Sequence, residues 1–252
     1  MPTNKKKTVA MTGPPVAASN SSQAEMGRIA TRLRGEWRKD LDMTKTHVRQ
    51  MVEDRGVFLG VFDIVRQHPM LVGDALVPNW IIANYVARMA LAIRSQVDRD
   101  GQSVSLVRLL ESIKQNSWAI SRSAFIESRR DSLPAISAAK RRRPFDAHFT
   151  GLAGKGDYLD RGIVQDDIDD LKTLVQAVRT MANKVLAHHD RKGPAKFPSL
   201  DDLHSCVDFI VKLLQKYQVL LGGRDEDFDA ALGDDWTDVF RKPWISEADP
   251  TD

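Results

Sequence analysis

The feature that most constrains the fold is the spacing of apolar residues in long uninterrupted stretches. Between residues 23 and 66, apolar side chains mostly recur every three or four positions, at Ile29, Leu33, Trp37, Leu41, Val48, Met51 and Val52. This interval is typical of the inner face of an amphipathic helix, whereas a half-buried strand alternates every second residue. The pattern continues past Gly56 and ends at His68-Pro69, because the residue before a proline avoids helical geometry. No stretch of the chain shows the strand pattern, so the sequence predicts an all-α protein.

Further helices follow the same pattern. They are predicted from Pro78 to about Asp98, over LVRLLESIKQ with Ser103 or Ser105 as its cap, from 118 to 130, from Val164 to His188, from Ser199 to Gly222-Gly223, and around Trp236, Phe240 and Trp244. The stretch from residue 131 to residue 162 includes Gly151, Gly154 and Gly156 and the basic run Lys140–Arg143, which indicate a partly ordered connector. Helices of these lengths with short links predict an antiparallel helical bundle with extra helices.

The domain organisation is predicted to be simple. Residues 1–20 form a basic tail rich in polar residues, which is expected to be disordered because it has little to bury. Residues 21–245 are predicted to form a single helical domain, and residues 246–252 form an acidic tail.

The composition favours a cytoplasmic protein without a membrane anchor. The single cysteine, Cys206, cannot form an internal disulfide, and the chain has no uninterrupted apolar run of roughly 18 residues. The start of the chain has lysines but then lacks the apolar stretch of a signal peptide. The cysteine and the histidines show no metal-ligand spacing, so neither a metal nor another cofactor is predicted.

Charge is distributed unevenly along the chain. Residues 1–160 carry 25 Lys and Arg against 16 Asp and Glu, or +9, and residues 161–252 carry 12 against 18, or −6. One interpretation is that the basic part attracts a phosphate-rich partner such as nucleic acid. The alternative, which we favour, is that the two parts attract each other within one fold.

Three stretches together resemble the AbiU-type HEPN family of prokaryotic proteins. They are YVARMALAIRSQVDRD with VSLVRLLESI, then RTMANKVLAHHD, then DDWTDVFRKPW near the end. The resemblance implies a HEPN-type helical bundle, a link to abortive infection and toxin–antitoxin systems, and no metal or cofactor. Many members of the wider HEPN group are metal-independent endoribonucleases whose site forms across a homodimer.

The site motif implied by this resemblance is an arginine followed, four to six residues further on, by a histidine. His188 matches the histidine, but the three corresponding arginine positions hold Asn183, Ala182 and Met181. Lys184 lies one α-helical turn before His188 and is the nearest replacement in charge. The resemblance therefore implies a catalytic set of His188, Lys184 and Asn183.

Other basic residues are secondary candidates. Arg94, Arg191 and Lys192 are predicted to contact nucleic acid, although Arg94 could instead pair with Asp98, four residues on, and the other two could be a solvated helix end.

Three functions remain open from the sequence. The leading one is an RNA-cleaving or RNA-binding homodimer with a cognate antitoxin or defence partner. The second is a non-catalytic interaction module in which His188 is structural, favoured at a helix C-terminus by the helix dipole. The third is a nucleotide-binding protein or target of nucleotidylation.

Overall fold

A computed structural model describes residues 20–67, 76–129, 138–187, 197–224, 228 and 236–241. Within these ranges the chain forms eight α-helices and no strand, apart from an isolated bridge between Ser121 and Tyr158. The predicted all-α fold is confirmed. Of the tails predicted at 1–20 and 246–252, Asn20 is the first residue of a helix and all the other residues lie outside the described ones.

The first two helices pair as an antiparallel hairpin. Helix α1 spans Asn20–Gln67 without a break at Gly56, and α2 spans Leu76–Gln96 with Pro78 in its first turn. Arg88 of α2 bonds Asp54 of α1 at 2.5 Å, and the ring of Tyr85 stacks on that of Phe58. Because residue 88 lies beside 54 and residue 85 beside 58, the two helices run in opposite directions.

The next elements are short. Helix α3 spans Leu106–Gln115, and the hydroxyl of Ser105, one of the two predicted caps, accepts a hydrogen bond from the amide of Arg108. A 3-10 turn at Ser117–Ala119 and helix α4 at Arg122–Glu127 replace the single helix predicted from 118 to 130. The hydroxyl of Ser121 caps α4, so the chain restarts as a helix there instead of continuing.

The predicted connector at 131–162 is wrong over residues 138–153, and its first residues, 131–137, lie outside the described residues. Helix α5 spans Ala138–Ala153 and includes the basic run as well as Pro144. Phe149 and Ala153 are fully buried on its inner face, so packing stabilises a helix here despite Pro144 and despite the glycines and basic run that indicated a connector. The chain then turns at Gly154, whose φ of 94° is a left-handed conformation that glycine adopts without strain.

The single helix predicted from Val164 to His188 is divided into three segments. Helix α6 spans Arg161–Leu174, α7 spans Gln176–Met181, and a π-helical segment spans Ala182–Ala187. No glycine or proline marks these breaks. The break between α6 and α7 coincides with a change of neighbour, since α6 lies mainly against α3 while α7 and the π segment lie against α2.

The last long helix, α8, spans Leu200–Leu220 as predicted. Ser199 and Asp202 form the expected capping box, and Gly222, with φ 90°, follows its end. α8 runs antiparallel to α1, since Arg55 bonds Asp208 while Arg38 bonds the carbonyl of Leu221.

The core lies between α1, α2, α3, α6 and α8. The largest of its fully buried side chains include Trp37, Met51, Met89, Ile93, Leu110, Phe149, Ile168 and Tyr217. At the C-terminal side, a 3-10 helix at Trp236–Arg241 takes the place of the short amphipathic helix predicted there, and Trp244 lies outside the described residues.

Helix α2 is the one described helix that is long and apolar enough to cross a membrane by length and composition. Its average composition is apolar enough even though it contains Arg88 and Arg94, which interrupt the apolar run. Tyr85, Met89, Ala90 and Ile93 of its inner face are buried in the helical core. A single such helix is weak evidence for a membrane protein, and the cytoplasmic location stays a prediction.

Contacts between the basic and acidic parts of the chain support their mutual attraction. Arg55 pairs with Asp208, while Arg38 and Arg129 donate to the carbonyls of Leu221 and Val219 at the end of α8. Cations suit this position because carbonyls at a helix C-terminus carry partial negative charge.

Candidate functional site

Two of the three predicted catalytic residues lie in the π segment. Asn183 and Lys184 are both half-buried there, and His188 follows one residue after the segment ends. His188 lies outside the described residues, as do Arg191 and Lys192. The catalytic set therefore stays a prediction.

The π geometry corrects the reason for pairing Lys184 with His188. That pairing assumed an α-helix, in which residues four apart lie on one side. In a π-helix the hydrogen bonds run between residues five apart, and single π turns inside α-helices occur frequently at functional sites. The four-residue rule therefore does not apply within Ala182–Ala187.

Burial explains why an arginine would be unfavourable at two of the three motif positions, residues 181 and 182. Met181 is 4% exposed and Ala182 is 0% exposed, so both side chains point into the core. An arginine there would bury a charge, which is costly without a partner. Asn183 is the half-buried position of the three, so a polar side chain fits there.

Arg94 does not form the ion pair expected with Asp98. Helix α2 ends at Gln96, so the helical spacing behind that expectation is lost before Asp98. Asp98 instead accepts a hydrogen bond from the amide of Asp100. No hydrogen bond or ion pair in the described part of the chain joins Arg94 to Asn183 or Lys184, and its role in binding nucleic acid stays a prediction.

A polar cluster that the sequence did not indicate lies between α1, α2 and α8. The hydroxyl of Tyr85 and Nε2 of His204 are 2.9 Å apart, and the two rings meet edge to face. Arg55 of α1 lies close to both groups and bonds Asp208, one turn after His204 on α8. This arrangement brings a phenol, an imidazole and an ion pair together near the start of α8.

Electrostatics keep the Tyr85–His204 pair neutral at pH 7. Burial raises the pKa of Tyr85 to about 12, and Arg55 opposes that shift only in part. Burial, and then the nearby charge of Arg55, lower the pKa of His204 below its ordinary value. A neutral imidazole bonded to a neutral phenol can hold or pass a proton, and it can equally serve as a structural bond between helices.

One sequence signal could have led to this cluster. Tyr85 lies in the buried stripe of α2, and a buried tyrosine hydroxyl usually needs a hydrogen-bond partner. That partner is 119 positions away, so its identity depends on helix pairing that local spacing does not show.

The cysteine and the acidic residues offer no other reactive centre among the described residues. Cys206 is buried and its Sγ lies 3.6 Å from the carbonyl of Leu174. Burial raises the pKa of its thiol to about 11, so a reactive thiolate does not form at neutral pH. No group of three His, Cys, Asp or Glu side chains that could hold a metal ion occurs in the described ranges.

The all-α bundle of the described residues is consistent with a HEPN-type helical protein. The family model HEPN_AbiU2, described as AbiU2, matches residues 76–239. The match covers α2 through the C-terminal 3-10 helix, including the π segment and His204, and leaves α1 outside. The chain belongs to the AbiU2 family of HEPN proteins. No curated protein and no solved structure matches it.

Proposed function

We propose that this HEPN protein acts on RNA in phage defence, cleaving it without a metal ion through the segment that ends at His188. The observation that carries the proposal is that the family match includes this segment and the structure leaves Asn183 and Lys184 half-buried, five and four residues before the histidine. The other two positions for the expected arginine, Met181 and Ala182, are buried, so Asn183 and Lys184 are the candidates for the polar and cationic roles.

The chemistry assigns one task to each residue. Attack of the 2′-hydroxyl on the adjacent phosphate needs a proton acceptor, a proton donor for the leaving oxygen, and positive charge near the non-bridging oxygens. His188 serves in proton transfer, since an ordinary imidazole titrates near neutral pH. Lys184 supplies charge, and Asn183 supplies an amide donor.

The replacement of arginine has a kinetic consequence. Lysine provides a point charge without the planar fork that binds two phosphate oxygens at once. The loss of one such donor lowers catalysis on the order of a hundredfold or more in sites of this type. We therefore expect slow cleavage compared with HEPN nucleases that keep the arginine.

An exposed apolar face on α2 supports the proposed homodimer. Leu76 is 71% exposed and Trp80 is 65% exposed, with Leu91 further along on the same side of the helix. Exposed apolar patches of this kind mark interaction surfaces. A two-fold pairing through this face would join two copies by the same residues.

Burial of Met181 and Ala182 also favours a second function, a non-catalytic interaction module. In that case the fold and the α2 face serve binding to a second copy or to a defence partner. His188 then has only a structural role at the end of its helix.

A cleavage assay separates the two functions. Purified wild type, His188→Ala and the matched control His189→Ala are incubated with a pooled RNA in the presence of a chelator. The proposal expects cleavage by wild type and by the control, and loss of cleavage in His188→Ala. Equal activity in all three proteins, or none in any of them, would overturn the nuclease proposal; RNA binding without cleavage would leave the interaction module.

A further inference from the structure

A small cavity of about 140 Å³ lies where α1 and α4 meet the end of α8. Its polar lining includes Arg34 and Arg38 of α1 and the hydroxyls of Ser121 and Ser128. The end of α8 closes it at Gly222. Both arginines precede the region matched by the family, and the cavity lies at the end of α8 opposite to His204.

The two arginines have charge and hydrogen-bonding capacity left over. Arg34 donates to the carbonyl of Ala119 at 3.1 Å and to the hydroxyl of Thr31 at 3.3 Å. Arg38 donates through Nε to the carbonyl of Leu221 at 2.8 Å. A guanidinium has five N–H donors, and within the described residues neither arginine has a carboxylate within 4.0 Å.

Positive charge therefore accumulates in the cavity. Burial, and then the neighbouring charge of Arg38, lower the pKa of Arg34, as expected for like charges held close together. The end of α8 contributes a partial negative charge of roughly half a unit. That charge offsets only a part of the two guanidinium charges.

The backbone keeps space open beside Arg38. Gly222 has φ 90°, and a Cβ built on it would lie 3.3 Å from Nη2 of Arg38 and 3.5 Å from Ser128. A side chain at this position would be strained and would fill the space next to the guanidinium. The glycine thus ends α8 and leaves the cavity accessible to a ligand.

We propose that Arg34 and Arg38 form a binding site for a phosphate group. A guanidinium can donate two parallel hydrogen bonds to phosphate oxygens. The apolar side chains of Phe125 and Leu220 in the cavity wall strengthen these hydrogen bonds by excluding water. Because the cavity is smaller than the roughly 300–1,000 Å³ of drug-sized ligand sites, it accepts the phosphate group and not a whole nucleotide. The phosphate comes either from an RNA backbone, which rests on the proposed function, or from a free phosphorylated molecule.

One carboxylate competes with the ligand. Asp42 lies one turn after Arg38 and lines an adjoining cavity with Lys45 and Arg224. We expect Asp42→Asn to tighten phosphate binding, since it removes negative charge near Arg38 without touching the cavity.

Titration of the full-length protein with inorganic phosphate tests the site. We expect Arg34→Gln/Arg38→Gln to weaken phosphate binding by at least about tenfold, because two charge-assisted bonds are lost. Arg32→Gln is the matched control on α1, since Arg32 is exposed and pairs with Glu36, and it should change binding by less than about twofold. Unchanged binding in the double variant, or no phosphate binding by wild type, would overturn the site.

A second measurement uses the wild-type protein, so that misfolding of a variant does not decide the result. An arginine-specific dicarbonyl reagent is applied with and without phosphate, and modification is read peptide by peptide. Phosphate should protect Arg34 and Arg38 and leave Arg32 unprotected. Equal modification of all three with and without phosphate would contradict the proposal.

The source of the phosphate is read from the salt dependence of RNA binding. If RNA occupies the cavity, a plot of the logarithm of the RNA association constant against the logarithm of salt concentration should be less steep for the double variant. The slope should decrease in magnitude by about 0.7 for each single-strand phosphate contact that is lost. An unchanged slope together with lost phosphate binding assigns the site to a free phosphorylated molecule. His188→Ala should leave phosphate binding intact, so failure of the nuclease proposal and failure of this site give different results.

Discussion

The hydroxyl of Tyr85 and Nε2 of His204 lie 2.9 Å apart and join α2 to α8 across 119 positions of sequence. The bond is half-buried, and both partners are held in their neutral forms. The first prediction concerns how this pair responds to pH and to substitution.

Stability should fall as the solution is acidified through the range in which histidine titrates. The pKa of His204 is lowered in the folded protein, so below the ordinary value of 6.5 the unfolded chain binds more protons than the folded one. Its contribution is therefore present above pH 6.5 and is lost as pH falls through the folded-state pKa. Urea unfolding between pH 5 and 8 measures this, and His204→Gln should flatten the dependence while the exposed His47→Gln should not.

Removing the phenolic hydroxyl tests the same bond at constant pH. Tyr85→Phe should lower the free energy of unfolding by about 1 kcal/mol, since a net hydrogen bond is worth about that much. In a protein of this size the melting temperature should fall by roughly 2–4 °C. A Tyr85→Phe protein as stable as wild type would show that the bond contributes nothing to the fold.

Contact between Gly60 and Trp236 should tie the C-terminal 3-10 helix to α1. A Cβ on Gly60 would lie 2.5 Å from the ring of Trp236, so Gly60→Ala must displace that ring. Gly35→Ala is the control on the same helix, since nothing lies within 4 Å of its added Cβ. We expect limited proteolysis near the C-terminus to increase only in Gly60→Ala, while Gly35→Ala gains about 0.5–1 kcal/mol from helix propensity.

Arginine should be tolerated at residue 183 and not at residue 182. Ala182 is 0% exposed, so Ala182→Arg should destabilise the fold by several kcal/mol through a buried charge. Asn183→Arg should fold with a near-wild-type melting temperature and, under the proposed function, cleave RNA faster than wild type. Thermal unfolding and cleavage rates of the two variants check this. If Ala182→Arg were stable, burial would not explain the missing arginine.

The exposed face of α2 should control assembly. Trp80→Glu places a charge in the proposed dimer surface and should convert a dimer into a monomer in analytical ultracentrifugation. Met43→Glu, on an exposed position of α1, should leave assembly unchanged. A wild-type protein that is monomeric at high concentration would contradict the dimer.

The sequence predicted those elements whose signals are local. Periodic apolar residues indicated α1, α2 and α8, and the capping box at Ser199 and the glycine at 222 fixed the ends of α8. Helix α5 was missed because the glycines and the basic run indicated a connector, whereas the burial of Phe149 and Ala153 stabilises a helix there.

The site was harder to predict because its features depend on tertiary contacts. The π segment has no sequence marker, since no glycine or proline lies at its start and it packs against α2 as the preceding α7 does. Likewise, nothing in the local sequence distinguishes His204 from the other residues of α8. Tyr85 and Arg55 lie near it only because α8 packs against α1 and α2. The family resemblance pointed to the His188 segment as a candidate site, and local spacing could not show what surrounds it.

The most direct test of the central claim follows cleavage of one defined RNA at a single linkage. The wild-type protein is incubated in chelator with that RNA and with a copy carrying one 2′-deoxy residue at the cleaved position. The account predicts cleavage of the all-ribose strand with a 2′,3′-cyclic phosphate end, no cleavage at the deoxy position, and loss of both the cut and the end group in His188→Ala. Cleavage of the deoxy linkage at the same rate, or complete inhibition by the chelator, would contradict it.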